Sequence, residues 1–267
     1  MKIGIVGCAG RMGRMLSAVA LETEGAELIG GTEAPGSPHI DSDIGKLATG
    51  EPLGIKVGDD AVHLFAAADV VLEFTVPAAT LAHTHLAAEY GVAMVIGTTG
   101  LSDGDMETIS KASGKAVIVH AGNMSLGVNL LVSLAEQVAR VLGSDFDIEV
   151  LEMHHKNKID APSGTALMLG KAAALGRGVD HADSVVMSRE GHTGERPDGT
   201  IGYATLRGGN VVGEHSLIFA GPDERIEITH KATDRALFAR GAIRAAMWTE
   251  GQAPGLYTMC DVLGLQK

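Results

Sequence analysis

Short apolar runs and helix-like periods alternate along the first half of the chain. Residues 3–6 form a β-branched run that reads as a buried strand, and a glycine-rich turn, Gly7 to Gly13, follows at once. Over residues 14–24 the apolar positions Met15, Leu16, Val19 and Ala20 recur on one helix face, and Gly25 supplies a stop. A second strand is predicted over residues 27–31. The alternation then predicts a strand over 70–75, a helix over 77–90 ended by Gly91, a strand over 93–96, a helix over 103–113 and a strand over 116–120. Strands apolar throughout and separated by helices predict a parallel sheet covered on both faces, the doubly wound Rossmann-type α/β arrangement.

The pattern changes near residue 125. A long amphipathic or buried helix is predicted over 126–142, a strand over 147–153 and a helix over 164–175. Strand-like runs follow over 184–189, 200–207, 214–220 and 225–231, separated by D-G, G-G-N and G-P-D turn signals. This is an α+β region on a mixed sheet. The last periodic segment, 234–250, is helical again. The expected organisation is one domain over 1–125 plus 235–267 and a second over 126–234.

Composition narrows the function classes. The formal net charge of −12 argues against a nucleic-acid partner, so any anionic ligand must be held by a local positive site. No run of eighteen apolar residues predicts a membrane span, and residues 1–7 read as a strand and not as a signal peptide. The two cysteines, Cys8 and Cys260, make no disulfide framework, and the expected location is the cytoplasm.

Gly7, Cys8, Ala9, Gly10, Arg11, Met12 and Gly13 have the spacing G-x-x-G-x-x-G between a predicted strand and a predicted helix. Backbone N–H groups at a helix start suit a pyrophosphate, and missing side chains let it approach. Glu33, at the end of the second predicted strand, is where an acid would take the adenine ribose hydroxyls. Two more loops follow strands at the same sheet edge: Gly97-Thr98-Thr99-Gly100 and Ala121-Gly122-Asn123-Met124. In open α/β sheets ligands bind at that edge. The competing reading of each loop is a tight turn with no ligand.

The segment 152–165, E-M-H-H-K-N-K-I-D-A-P-S-G-T, gathers titratable groups and cations. Adjacent residues on an extended chain point to opposite sides, so His154 and His155 are expected to have different tasks. Lys158 is placed to fold back beside His154. Ser163 is a natural N-cap, and with Gly164 and Thr165 it opens a helix whose first N–H groups form an anion site of carboxylate size. A near-neutral acid beside a carboxylate cradle is what reduction of an unsaturated anionic acid needs. A solvated loop with incidental histidines and an unliganded helix cap remain open as readings. Adjacent histidines are poorly placed for one metal, and no metal site is expected.

The motifs G-x-x-G-R-M-G-R, I-G-T-T-G and E-x-H-H-K-x-K-x-D-A-P-S-G-T-A together resemble the 4-hydroxy-tetrahydrodipicolinate reductase (dihydrodipicolinate reductase) family. The later runs S-R-E-G-H-T-G-E-R-P, G-T-I-G-Y-A-T-L-R-G-G and V-G-E-H resemble it too, and the likeness extends from Lys2 to the end. The resemblance implies NADH- or NADPH-dependent reduction of a cyclic dicarboxylate in lysine and diaminopimelate biosynthesis. It implies His154 as proton donor, Lys158 as its catalytic partner, His155 as a substrate contact, and Ser163, Gly164 and Thr165 as a carboxylate site. It implies cofactor contacts from residues 7–12, Glu33, 97–99 and 121–124, and a homotetramer assembled through the second domain's sheet. Many members of the family carry arginine after the ribose-binding acid, where this chain has Ala34. An arginine there would pair with the 2′-phosphate of NADPH, so Ala34 implies a preference for NADH, with Arg11 or Lys46 as the remaining cations. A different amino-acid or semialdehyde dehydrogenase and a non-catalytic NAD(H) sensor are the alternative functions.

Overall fold

The computed structural model describes residues 1–265 and divides into two units, Met1–Ser125 with Ala236–Gly264, and Leu126–Arg235. The first begins with β1 (Lys2–Val6), α1 (Arg11–Glu22) and β2 (Glu27–Thr32), then α2 (Ile44–Ala48), β3 (Val57–Gly58) and α3 (Ala61–Ala67). It continues through β4 (Val70–Glu73), α4 (Pro77–Tyr90), β5 (Ala93–Ile96), α5 (Asp103–Ala112) and β6 (Val117–His120). The second unit holds α6 (Leu126–Leu142), β7 (Asp147–His154), α7 (Gly164–Arg177), α8 (His181–Ser184), β8 (Val185–Val186), β9 (Ile201–Arg207), β10 (Gly213–Ala220) and β11 (Arg225–Ala232). The chain then returns to the first unit with α9 (Ala236–Trp248), β12 (Gly255–Tyr257) and α10 (Met259–Leu263).

The first sheet is wholly parallel in the order β12-β6-β5-β4-β1-β2-β3. The strand order reverses between β1 and β4, the switch point at which such sheets bind ligands. β4 and β5 are buried along their whole length, which explains their unbroken apolar runs. Helices cover the sheet on both faces, over two cores centred on Leu16, Leu72 and Ile243 and on Phe65, Met94 and Ile109.

The second sheet is mixed, in the order β11-β10-β7-β9-β8: β7 pairs antiparallel with β10 and parallel with β9. The strict burial alternation along β7 and β10 reports one face packed on helices. By length and composition alone, residues 126–145 would suffice to cross a membrane. In this fold Leu131, Ala135 and Ala139 of α6 are buried in the core shared with α7. The two helices approach so closely that a Cβ on Gly176 would fall 2.2 Å from the Glu136 carbonyl oxygen.

Several predicted elements need correction. α1 starts at Arg11, not at residue 14, because the end of the glycine loop is already its first turn: Arg14 N–H donates to Gly10 O at 3.0 Å. β4 ends at Glu73, since that buried carboxylate accepts the Thr75 N–H at 2.9 Å and turns the chain. The strand predicted over 184–189 is reduced to Val185–Val186. Beyond it Arg189 and Arg196 tie the chain to Glu149 through side-chain bonds of 2.8–3.1 Å, so tertiary ion pairs replace ladder bonds there. The short elements α2, α3, β3, β12 and α10 lie below the length at which periodicity can be read.

Candidate functional site

In the first unit the glycine loop is shaped by close backbone contacts. Gly7 takes φ +67°, a left-handed conformation, and its N–H and that of Cys8 donate to Thr32 O at 2.7 and 3.2 Å. A Cβ on Gly13 would lie 2.2 Å from Gly7 O and 2.6 Å from Cys8 Cα, so only glycine lets α1 pack this tightly on the loop. The N-cap is Gly10, with no side-chain cap, and the first turn holds no acidic residue. The helix start therefore keeps the positive character that suits a phosphate. Arg11 is exposed beside it.

Glu33 Oε1 accepts the Ala9 N–H at 2.8 Å, which brings the carboxylate to the loop's flank. Arg14, which the sequence reading passed over, donates from Nε to Ala9 O at 2.7 Å and braces the other side of the same residue. Ala34 is exposed and carries no cation. Cys8 is buried, and burial, then Glu33, pushes its thiol up to about 12; it contributes backbone and packing, not a reactive sulfur.

A cavity of about 240 Å³ is lined by Met12, Gly97 and residues 121–124, with Phe74 and Phe238. It draws residues from each of the three loops expected at one edge of the sheet. Phe74 and Phe238 were missed; a Cβ on Gly97 would meet Phe74 Cε1 at 1.9 Å, which explains the glycine there. Thr98 is buried, and its hydroxyl accepts from Thr80 Oγ1 at 2.9 Å, while Thr99 is exposed. Asn123 Oδ1 accepts the Ser125 N–H at 2.8 Å and shapes the third loop. The Met124 side chain is buried in the core.

In the second unit the centre of the site is Glu152, a carboxylate only 1 % exposed. Glu152 and His154 lie two apart on β7 and share its buried face. Arg207, at the end of neighbouring β9, forks onto Glu152 with N–H bonds of 2.8 and 2.9 Å. Glu152 Oε1 also accepts the Ser163 N–H at 3.1 Å, and Oε2 lies 2.5 Å from His154 Nδ1. Ser163 Oγ caps α7 by accepting the Ala166 N–H at 3.2 Å and meets His215 Nε2 at 2.9 Å. Gly164 is exposed, with open space where a Cβ would stand, and Thr165 is half-buried beside it.

His155 is half-buried, and its Nε2 accepts from Arg235 at 3.3 Å. Lys158 donates from Nζ to both oxygens of Asp160, at 2.7 and 2.8 Å. Its charge still acts on His154.

The electrostatics follow from this packing. Burial alone would raise the Glu152 carboxyl, but Arg207, then His154 and the Ser163 N–H, outweigh it and hold the group below the usual carboxylate value. Burial lowers His154, Glu152 opposes that, and Lys158 and Arg207 add to it, leaving the imidazole below its ordinary value and ready to release a proton. His215 is pushed down to about 4, by burial first and then by His154. It is neutral at physiological pH, with its ring 5.0 Å from that of His154. Among the described residues no group of three or more His, Cys, Asp and Glu side chains is placed to hold a metal.

Glu152, Arg207 and His215 received no role from sequence reasoning. The period-2 spacing of Glu152 and His154 was the available signal for the first. Arg207 and His215 reach the site only through the pairing of β7 with β9 and β10.

Known proteins bear on this geometry. The family model described as the N-terminus of dihydrodipicolinate reductase matches residues 1–124, and that of its C-terminus matches residues 127–263. A 4-hydroxy-tetrahydrodipicolinate reductase of Afipia carboxidovorans is 57% identical over 265 residues, covering 99% of this chain and 97% of the relative. One of Rhizobium meliloti is 53% identical over 266 residues, covering 99% and 98%. Among solved structures, a dipicolinate-bound dihydrodipicolinate reductase from Paenisporosarcina sp. has the same fold, with a TM-score of 0.76 at 24% identity over 98% of each chain. An aspartate dehydrogenase from Thermotoga maritima shares the fold more distantly, with a TM-score of 0.51 at 11% identity over 94% of this chain and 97% of that one.

Proposed function

Because the chain belongs to the dihydrodipicolinate reductase family, we propose that it reduces 4-hydroxy-tetrahydrodipicolinate to tetrahydrodipicolinate with NADH or NADPH, in lysine and diaminopimelate biosynthesis. One hydride and one proton enter the substrate, and its hydroxyl leaves as water. The observation that carries this reading is a single buried carboxylate, Glu152, bonded both to the titratable His154 and to the first residue of the cap that opens α7.

The first unit fits a dinucleotide on its own geometry: the close approach at Gly13, the uncapped start of α1 and the cavity that joins three loops. Residues 7–12, Glu33, 97–99 and 121–124 would hold it, and when bound it supplies the hydride. His154 donates the proton, and its lowered pKa favours release. Lys158 is the catalytic partner, exchanging Asp160 for a substrate carboxylate. Gly164, Thr165 and the capped start of α7 take a carboxylate, as backbone donors at a helix N-terminus do, and His155 contacts the same dianion. The structural relative bound to dipicolinate, a planar dicarboxylate, supports that ligand class.

The finer assignments belong to the same proposal. Glu33 followed by the exposed Ala34 favours NADH, since the residue after the ribose acid carries no cation. The enzyme is a cytoplasmic homotetramer assembled through the second sheet, whose helix-free face carries half-buried Leu151, Met153 and Ile218. No membrane or nucleic acid takes part.

The test is the steady-state oxidation of NADH and of NADPH, with substrate made in situ from pyruvate and aspartate semialdehyde by the preceding synthase. The expected result is synthase-dependent oxidation with a higher kcat/KM for NADH. Equal or better values with NADPH would overturn the Ala34 argument. Folded protein that binds NADH but oxidises neither cofactor would overturn the reaction.

A further inference from the structure

An imidazole can deliver a proton from either nitrogen, and the surroundings of His154 treat its two nitrogens differently. Nδ1 lies 2.5 Å from Glu152 Oε2. That carboxylate is held against rotation: Arg207 donates to both of its oxygens and the Ser163 N–H donates to Oε1. The other nitrogen faces Gly213, the first residue of β10. A Cβ built there would lie 3.0 Å from His154 Nε2 and 3.4 Å from Cδ2. Gly213 is not among the glycines with positive φ, so its backbone does not demand glycine. What its missing side chain provides is room beside Nε2.

We propose that Glu152 and Gly213 are positioning residues that make Nε2 the proton-delivering atom of His154, Glu152 by engaging Nδ1–H and Gly213 by leaving Nε2 uncovered. The proposal rests on the reading of His154 as proton donor given above. In the charged ring both nitrogens carry hydrogen. The Nε2 proton passes to the substrate carbon, the Nδ1 proton stays on the ring against Glu152, and the product is the neutral Nδ1–H tautomer. The lone pair left on Nε2 takes up the next proton from solvent.

Glu152 remains ionised throughout, because Arg207 and the Ser163 N–H stabilise its charge, so the carboxylate always opposes the imidazolium. Among the described residues four groups face His154: Glu152 from its own strand, Lys158 from the following loop, Arg207 from β9 and His215 from β10. Among them Glu152 alone is anionic, so it alone supports the charged ring, and one residue sets both the tautomer and the counter-charge.

Three measurements on the full-length holoenzyme test this. Long-range ¹⁵N–¹H NMR of the wild type, with His154 assigned by loss of its signals in H154Q, should show the Nδ1–H tautomer in the neutral ring. The Nε2–H tautomer would overturn the proposal. E152Q should lower kcat about 10- to 100-fold, the usual cost of losing an orienting partner, and leave the substrate KM within about threefold. It should also move the alkaline limb of the kcat/KM profile to lower pH, because the charged ring loses its carboxylate. A purely structural role would reduce the folded fraction without moving that limb.

G213A is the second variant, independent of the buried charges that E152Q disturbs. It should lower kcat at least about tenfold with NADH affinity and unfolding midpoint retained. Wild-type kcat in G213A would remove its role, and an unmoved limb in folded E152Q would remove that of Glu152. If E152Q does not fold, the wild-type tautomer and G213A decide. H154Q separates this proposal from its premise. If H154Q is impaired while E152Q and G213A behave as wild type, the positioning argument fails and the donor stands; if H154Q keeps wild-type kcat, the donor assignment fails.

Discussion

His215 gives the sharpest thermodynamic test of the buried network. It is 4 % exposed, and its Nδ1 has no hydrogen-bond partner among the described residues. Its pKa falls from the ordinary 6.5 to about 4 in the folded chain, by burial first and then by the neighbouring His154. Between those values the unfolded chain binds a proton that the folded chain refuses, so stability rises with pH across the window and is lost as pH falls from 6.5 towards 4. At about 1.4 kcal/mol per pKa unit, His215 alone removes about 3 kcal/mol over that window. The perturbation is His215→Gln, which keeps a polar amide near Ser163 but cannot take up the proton.

Urea unfolding of both proteins by far-UV circular dichroism, at fixed protein concentration, should be run from about pH 7.5 to about pH 4. The lowered carboxyls of Glu149, Glu152 and Asp160 also cost stability at the acid end. They are present in both proteins, and those that do not act on His215, as Glu152 does, cancel in the difference. The advantage of the wild type over the variant should shrink by about 3 kcal/mol on acidification. Parallel stability curves would refute the claim that His215 is held neutral by burial.

Two further outcomes follow from the same geometry. H154Q should lower kcat by about 10²- to 10⁴-fold, the range for losing a general acid, with NADH affinity unchanged in a fluorescence titration; near-wild-type kcat would contradict the donor assignment. G13A drives a Cβ to 2.2 Å from Gly7 O. If about 1–3 kcal/mol of overpacking falls on the loop, the Kd for NADH in calorimetry should rise about 10- to 100-fold; an unchanged Kd would mean that the loop does not cradle the cofactor.

The sequence by itself determined what is local and periodic. The strand–glycine–helix order at residues 1–25, the unbroken apolar strands and the S-G-T helix start all follow from rules that act within a few residues. So do the doubly wound first sheet and the candidate status of His154, Lys158 and the helix start after Pro162. The elements that escaped, α2, α3, β3, β12 and α10, are too short and carry no unbroken apolar run for a period to be established.

Tertiary structure alone decided how the site is wired. Glu152 reads as an unremarkable strand carboxylate until β9 delivers Arg207 and β10 delivers His215 and Gly213. The same holds for residues 187–189, predicted as strand, where Arg189 pairs instead with Glu149 of β7. A buried charge costs several kcal/mol unless it is paired. Its partner is therefore chosen by strand register and proximity in space, and neither is written in the spacing of residues along the chain.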